Sequence, residues 1–246
     1  MGSSRMRCSS AQAIRFYYVK PIPNRDEIQG NPRKALDLID KLDKSHYLIH
    51  VGLEKGKVVT DLITERKPQT MMELGGYVGY SAISCYNLEL NPEYAVVSSL
   101  LIDLAGLRDF VQILVSRSDQ SRIKLDTSGE PAYTTDVKLR EQLGMIVPNG
   151  SVLVADNVLR PGNPPYLEYV RSTVEQKRKA AEKGPIQIYN IESIPASSVR
   201  AFIGESSTPL FDILGNPNLV YESILDQPKG LRDTLELSRC IGLVKE

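Results

Sequence analysis

The sequence is poor in the residues that build metal clusters, disulfide frameworks and membrane spans. Its 246 residues include no tryptophan, four phenylalanines, two histidines and three cysteines. Cys8, Cys85 and Cys240 lie far apart without a CxxC pair, which argues against a zinc site or disulfide framework and favours a reducing compartment. No window approaches the roughly 18 consecutive apolar residues that a membrane span needs, so we expect no membrane association.

An excess of one charge is also lacking, because 30 basic residues balance 30 acidic ones. Nucleic-acid binders usually carry a clustered basic excess, and the run Lys177-Arg178-Lys179 is more typical of the solvated face of a helix. We therefore expect no nucleic-acid partner. The N-terminus has no signal-peptide or myristoylation pattern, and we expect a cytoplasmic monomer.

The order of elements predicts an α/β fold with a mostly parallel sheet and an antiparallel strand pair at its end. Residues 1–30 are expected to form a loosely ordered lead-in, and residues 31–246 a single domain. Helix signals occur after Asn31-Pro32, around 58–63, from Asn91-Pro92 to Gly106, over 136–143, and as one long helix over 164–183. Strand signals occur at 71–74, 111–115, 152–155, 221–225 and 235–244.

Glycines follow the first predicted strand, in the segment 75–79. A glycine turn between a strand and a helix lets the backbone approach a nucleotide at the carboxyl edge of the sheet. An acidic residue should then follow to bind the ribose hydroxyls, and Glu89 is the candidate. The alternatives are an ordinary glycine turn, and a surface carboxylate at the start of the helix near Asn91.

A second polar pair, Asp156-Asn157, follows the buried strand predicted at 152–155. A carboxylate beside an amide oxygen offers the hard oxygen ligands that suit Mg²⁺. The alternative is an Asx turn that merely takes the chain out of the strand.

Taken together and in this order, these segments resemble the catechol O-methyltransferase family over about residues 35–172. The resemblance rests on Val51-Gly52 with Lys55-Gly56, Glu73-Leu74-Gly75-Gly76-Tyr77-Val78-Gly79-Tyr80-Ser81, Glu89-Leu90-Asn91-Pro92-Glu93-Tyr94, Ala105-Gly106-Leu107, Ser118, Val154-Ala155-Asp156-Asn157-Val158, and Pro161-Gly162 leading to Tyr169-Val170-Arg171.

The resemblance implies a Rossmann-like fold, S-adenosylmethionine and Mg²⁺ as cofactors, and a small catechol as the methyl acceptor. It implies that the donor's methionine end is lined by Val51, Glu73, Gly75, Tyr77 and Ser81, with Glu89 at the ribose and Ser118 near the adenine. Asp156 and Asn157 would bind the metal, and Asn157 and Pro161 would contact the substrate. Glu222 is a weaker match to the carboxylate that holds the second hydroxyl, with a surface strand residue as the alternative. Tyr47 stands at the position of an aromatic gatekeeper, or is a core aromatic.

Two spacings depart from the family pattern. Glu89 comes only 10 residues after Gly79, where about 20 are usual, and a parallel crossover needs a dozen residues or more. The nine residues 80–88 therefore predict either a missing second strand or a helix reduced to a stub.

The larger departure is a missing strand between 115 and 152, which in the family ends in a metal-binding aspartate and is followed by a general-base lysine. Glu130 occupies the lysine position, and Asp126 is a weak substitute for the aspartate. No catalytic residue can therefore be assigned. Two hypotheses therefore stay open, a catechol methyltransferase and a catalytically impaired relative. The missing segments fit a skipped exon, a faulty gene model or a pseudoenzyme. A nicotinamide dehydrogenase would leave Asp156-Asn157 unexplained.

Overall fold

The computed structural model describes residues 22, 24–44, 48, 50–77, 79–82, 86–89, 92–115, 132–183, 214–231 and 234–245, with the backbone alone at 86–89, 92, 93, 114, 115, 132, 160 and 161. The chain divides into two compact units, Met1–Arg117 and Ser118–Glu246. The single domain over 31–246 stays a prediction.

The described part of the first unit contains four α-helices, of which the first was not predicted. They are α1 (Arg25–Ile28), α2 (Pro32–Asp43), α3 (Gly52–Arg66) and α4 (Pro92–Ala105). The side chain of Asn31 caps α2 by accepting the Lys34 amide at 3.1 Å, and Pro32 follows at a position where its missing N–H costs nothing. Gly106, at φ 75°, ends α4. The predicted helix starts at Asn31-Pro32 and before 95–104 are therefore confirmed.

The sheet of the first unit contains three parallel strands in the order β1 (Met72–Leu74), β2 (Tyr86–Glu89) and β3 (Ile113–Val115). Among the described residues of the connection from β1 to β2, 75–77 and 79–82, no α-helix forms. Of the two outcomes predicted for this short connection, the second strand is present and the helix is the element that is missing.

Helices α2 and α4 supply the core of the first unit. Ala35 and Ile39 pack with Leu101 and Leu104, all nearly inaccessible to solvent. The end of the predicted lead-in joins this core, because Ile28 is buried in it and the Gly30 amide donates to the Leu104 carbonyl at 2.8 Å.

Strand β1 is poorly covered by comparison. Parallel strands are usually buried on both faces, yet Met72 is 43% exposed and Leu74 38% exposed. A short connection without a helix leaves fewer side chains available to cover this strand.

The second unit contains helices α5 (Ala132–Gln142), α6 (Pro164–Arg171) and α7 (Val174–Glu182) and strands β4 (Val152–Ala155), β5 (Leu219–Asp226) and β6 (Leu235–Leu243). The strands form an antiparallel sheet in the order β4-β6-β5. The predicted antiparallel pair at the end of the chain is confirmed. The described strands thus form two three-stranded sheets, as expected of an α/β fold that lacks a strand.

One predicted element is wrong, because the helix expected over 164–183 is two helices. Ser172 adopts an extended conformation (ψ 145°) that ends α6, and Thr173 caps α7. Thr173 Oγ1 accepts the Gln176 amide at 3.2 Å, and Gln176 Oε1 accepts the Thr173 amide at 2.8 Å. This reciprocal capping box favours a new helix start over a continuous helix.

An ion pair between a partly exposed arginine and a buried glutamate holds α6 on the sheet of the second unit. Arg171 donates from Nε and Nη2 to the two carboxylate oxygens of Glu236, each at 2.7 Å. The Glu236 side chain is fully buried on β6. Because removing one partner of such a pair leaves an uncompensated buried charge, this contact strongly restricts where α6 can lie.

A second buried carboxylate, Glu141, joins α5 to the rest of the unit. It accepts the hydroxyls of Tyr169 at 2.5 Å and Tyr221 at 2.6 Å, and the Asn216 amide at 2.8 Å. The Lys177 ammonium lies 4.8 Å from the Tyr221 ring centroid, and burial lowers its pKa. The solvated helix face expected for Lys177-Arg178-Lys179 is therefore wrong at Lys177, which is 3% exposed. The Glu141 side chain therefore connects α5, α6, β5 and the turn that precedes β5.

The carboxyl of Asp136 gives this unit a testable pH dependence. Burial raises its pKa from 3.8 to about 6, although the Arg140 guanidinium acts in the opposite direction. Because the folded-state pKa is the higher one, the stabilisation that protonation brings is present below about pH 4 and is lost as the pH rises through about 6. We expect Asp136→Asn to raise the free energy of unfolding at pH 7 by about 1–3 kcal/mol and to leave it nearly unchanged at pH 4.

Denaturant unfolding of the full chain at both pH values measures this difference. Asp109→Asn, at an exposed position, is the matched control and should show no such difference. If Asp136→Asn instead destabilises the chain at pH 7, the interaction with Arg140 outweighs the burial of the charge.

Candidate functional site

The glycine turn of the first unit brings two predicted donor-binding residues together. Glu73 is half-buried on β1, and Ser81, eight residues later, donates its hydroxyl hydrogen to Glu73 Oε1. Between them Gly75 has φ 80°, and an added Cβ there would meet no atom within 4 Å. A carboxylate therefore lies at the end of a strand beside a backbone turn that a ligand can approach closely.

Tyr77 lies within the same turn at φ 47°, a conformation that residues with side chains rarely adopt. Its ring packs edge-on against Tyr94 with the centroids 4.8 Å apart. Burial raises the pKa of its hydroxyl to about 12, and Tyr94 and Asp43 contribute further. The hydroxyl therefore stays protonated at physiological pH.

Val51 is the half-buried residue before α3, and its neighbour His50 orders the start of that helix. His50 Nδ1 accepts the Gly52 amide at 3.1 Å, so the neutral ring carries its proton on Nε2, 3.6 Å from Asp43 Oδ2. The ring also stacks on Tyr80 with centroids 4.4 Å apart. No sequence pattern assigned His50 a partner, and only its position two residues before a helix-starting glycine hinted at this contact.

Glu89 reaches the edge of the glycine turn in spite of its short spacing. Leu88 is level with Leu74 in the parallel register, so the backbone of Glu89 lies one residue further, beside Gly75. Its side chain is outside the described part, as are all atoms of Ser118 and Tyr47. The assigned roles of these three residues stay predictions.

In the second unit Asp156 and Asn157 form a tight turn at the end of β4. Asp156 Oδ1 accepts the Asn157 amide at 2.7 Å, and Asn157 adopts φ 58°. The Asn157 carbonyl accepts the Gly162 amide at 3.2 Å, which closes a π-helical turn over Val158–Gly162. Pro161 lies in this turn with only its backbone described. The bonded amide is one residue on, not the two residues on that define an Asx turn, so the Asx-turn interpretation and metal binding both stay predictions.

The register of the sheet keeps Glu222 away from this turn. Glu222 and Val152 are both level with Arg239, at the amino end of β4, whereas Asp156 follows the carboxyl end. Glu222 is also exposed. The structure therefore does not bring Glu222 and Asp156 together.

The two turns differ in how completely they fit a ligand. Glu73 and the open backbone at Gly75 fit a cationic group attached to a nucleotide. Asp156 and Asn157 supply two oxygen donors, and Mg²⁺ would need waters or substrate oxygens at its other positions. Within the described residues, no group of three or more His, Cys, Asp or Glu side chains is placed to hold a metal. Asp126 and Glu130 fall outside those residues.

Sequence comparison finds relatives that share the central segments of the chain. The chain is 32% identical over 168 residues to catechol O-methyltransferase of Bos taurus, with 58% of this chain and 61% of that protein covered. It is 34% identical over 146 residues to catechol O-methyltransferase of Sus scrofa, with 50% and 78% covered. It is 29% identical over 170 residues to transmembrane O-methyltransferase of Homo sapiens, with 59% and 58% covered. The chain thus spans about three fifths of the length of the bovine relative.

Structural comparison supports the fold alone. The crystal structure of cofactor-bound Rv0187 from MTB is 18% identical and matches with a TM-score of 0.50, covering 85% of this chain and 90% of that one. No protein-family model matches the chain. Although one relative is called transmembrane, none of the helices in the described ranges is long and apolar enough to cross a membrane.

A pair of glycine substitutions tests the geometry of the first turn. Gly75 and Gly79 both have positive φ, so Ala strains the backbone at each. Only at Gly79 would the new Cβ also collide, at 2.3 Å from Ser98 Oγ and 3.2 Å from Ser98 Cα. We expect Gly75→Ala to lower the free energy of unfolding by about 1 kcal/mol, and Gly79→Ala by at least about 1 kcal/mol more.

Thermal and denaturant unfolding of the two variants measure this difference, with each glycine variant serving as the control for the other. Equal destabilisation would mean that the approach of Ser98 to Gly79 is not present in solution.

Proposed function

Because the chain belongs to the catechol O-methyltransferase family, we propose that it is an S-adenosylmethionine-dependent O-methyltransferase acting on small catechols with Mg²⁺. The observation that carries the proposal is the Glu73–Ser81 hydrogen bond at an open glycine turn. The alignment covers 61% of the bovine relative, so the activity and both cofactors are proposed for this chain.

The first unit would bind the methyl donor. The Glu73 carboxylate accepts hydrogen bonds from the donor's ammonium group, and Ser81 keeps that carboxylate oriented. Bound S-adenosylmethionine supplies a methyl group on a positively charged sulfur. By resemblance to the family, the remaining contacts come from Val51, Gly75 and Tyr77 at the methionine end, Glu89 at the ribose and Ser118 at the adenine.

The second unit would bind the metal and contact the methyl acceptor. Asp156 and Asn157 hold Mg²⁺ through their side-chain oxygens, and Asn157 and Pro161 contact the catechol. Bound Mg²⁺ lowers the pKa of a catechol hydroxyl by Lewis acidity. The contact of Glu222 with the second hydroxyl rests on the resemblance alone, since the strand register separates Glu222 from Asp156.

A second candidate function is a catalytically impaired relative that keeps the fold and donor binding. The observation that favours it is the scarcity of ligands, because no third carboxylate or histidine joins Asp156 within the described ranges. Glu130 stands where the family has its general-base lysine, and its negative charge would oppose the formation of a catecholate. A cytoplasmic location, a monomeric state and the absence of nucleic-acid and membrane partners stay predictions.

Donor binding is the first testable consequence. We expect S-adenosylhomocysteine to bind with micromolar affinity, because the segment from Glu73 to Ser81 is intact. Glu73→Gln should weaken it at least about tenfold, since a hydrogen bond to a charged group contributes about 1.5–3 kcal/mol. Calorimetric titration measures this, with Glu65→Gln on an exposed part of α3 as the control. Affinity that Glu73→Gln leaves unchanged would place the donor elsewhere.

Turnover measures how far the absence of a general-base lysine reduces the proposed methyl transfer. Slow transfer that Asp156→Ala lowers further fits the proposed methyltransferase, and no product above background fits the impaired relative. With Mg²⁺ and 3,4-dihydroxybenzoate we expect methyl transfer at least about 10²-fold below the order of 1 s⁻¹, because loss of general-base catalysis alone costs about 10²–10⁴ in rate. The assay follows methylated product over time, for the natural chain and for Asp156→Ala. A rate near 1 s⁻¹ that Asp156→Ala abolishes would show that another residue completes the site, with Asp126 the first to test.

A further inference from the structure

Tyr133 lies on the first turn of α5 and contacts the Asp156–Asn157 turn, which follows β4. Its hydroxyl donates to the backbone carbonyl of Asp156 at 3.1 Å, across a separation of 23 residues. No sequence pattern connects these two residues, because the contact depends on how α5 packs beside the end of β4.

The ring of Tyr133 is held in place by a buried neighbour. It packs edge-on against Tyr166 with centroids 5.8 Å apart and an interplanar angle of 88°. Tyr166 is 2% exposed and belongs to a core cluster that also contains Val158 and Val170. The donor hydroxyl is therefore attached to a rigid part of the unit.

The turn that Tyr133 contacts contains a residue in the left-handed region. Asn157 has φ 58°, a conformation that most residues with a Cβ avoid and that asparagine tolerates better than most. The Asp156 side chain and the Gly162 amide both hydrogen-bond to Asn157. These two contacts come from within the same loop, so they cannot by themselves fix the loop relative to α5.

We propose that Tyr133 is a positioning residue, which orients the Asp156–Asn157 peptide so that both side-chain oxygens face one cation. This inference rests on the proposed metal-binding function of the turn. The hydroxyl fixes the carbonyl of Asp156, and the plane of that peptide determines the direction in which the Asn157 side chain leaves the backbone. Hydrogen-bond partners behind a metal ligand typically change metal affinity by about 10- to 100-fold when they are lost.

The test uses the full chain with Tyr133→Phe, which keeps the ring and removes the hydroxyl. Tyr166→Phe is the matched control, because it removes a buried hydroxyl from the same ring pair, and that hydroxyl lies near Ser238 on β6 and makes no hydrogen bond to the Asp156–Asn157 turn. Mn²⁺ alone is the probe, and its affinity is measured by water-proton relaxation. Amide hydrogen exchange at Asn157 and Gly162 is measured by NMR without metal.

We expect Tyr133→Phe to weaken Mn²⁺ binding about tenfold and to speed amide exchange at Asn157 and Gly162, with the melting temperature nearly unchanged. Tyr166→Phe should change neither Mn²⁺ affinity nor exchange at the turn. Natural-like Mn²⁺ affinity and exchange in Tyr133→Phe would overturn the proposal. Faster exchange throughout α5 and α6 with a lower melting temperature would also overturn it, because the role would then be structural.

The two measurements separate this inference from the proposed function. Mn²⁺ binding that Asp156→Ala does not weaken would show that the turn is not the metal site. In that case the metal-binding function fails and the positioning role toward a cation fails with it, while exchange at Asn157 still reports whether Tyr133 holds the turn.

Discussion

The connection between β1 and β2 is the constraint on which the geometry of the first unit depends. Eleven residues, 75–85, must form the glycine turn and return the chain to the start of a parallel strand, which is close to the shortest length for such a crossover. The parallel register is kept, so Glu89 arrives beside Gly75. No α-helix forms in the described residues of this connection, 75–77 and 79–82, to cover the sheet. Met72 and Leu74 on β1 are partly exposed.

The second unit depends instead on two buried carboxylates whose partners come from several elements. Glu141 connects α5 to α6 and β5, and Glu236 binds Arg171 of α6 with both oxygens. Because a buried carboxylate that loses its partners is strongly destabilising, these contacts fix α5 and α6 relative to β6. The position of Tyr133, and through it the Asp156–Asn157 turn, follows from this arrangement.

Local signals were sufficient to predict most helices and strands, because caps, prolines and apolar periodicity act within a few residues. The capped start at Asn31 and the buried strand before Asp156 are examples. Prediction failed where two local structures compete for the same segment, and where a residue distant in sequence supplies the contact. The helix break at Thr173 depends on a capping box inside a continuously polar stretch. Tertiary packing decides the contacts of His50 and Tyr133. Strand register decides which residues lie level with Glu222 in the sheet. Neither can be read from a single segment of sequence.

The two candidate turns, one in each unit, differ for the same physical reason. Glu73 and Ser81 are eight residues apart and meet within one loop, so a loss of sequence elsewhere leaves their hydrogen bond intact. The metal and acceptor end assembles residues from distant segments, and each of them must be placed by an element that packs correctly. A displacement of about 1 Å at such a site can reduce the rate about 10²-fold. Absence of the strand before α5, as the sequence predicts, would therefore affect the chemistry of methyl transfer more severely than it affects binding of the methyl donor.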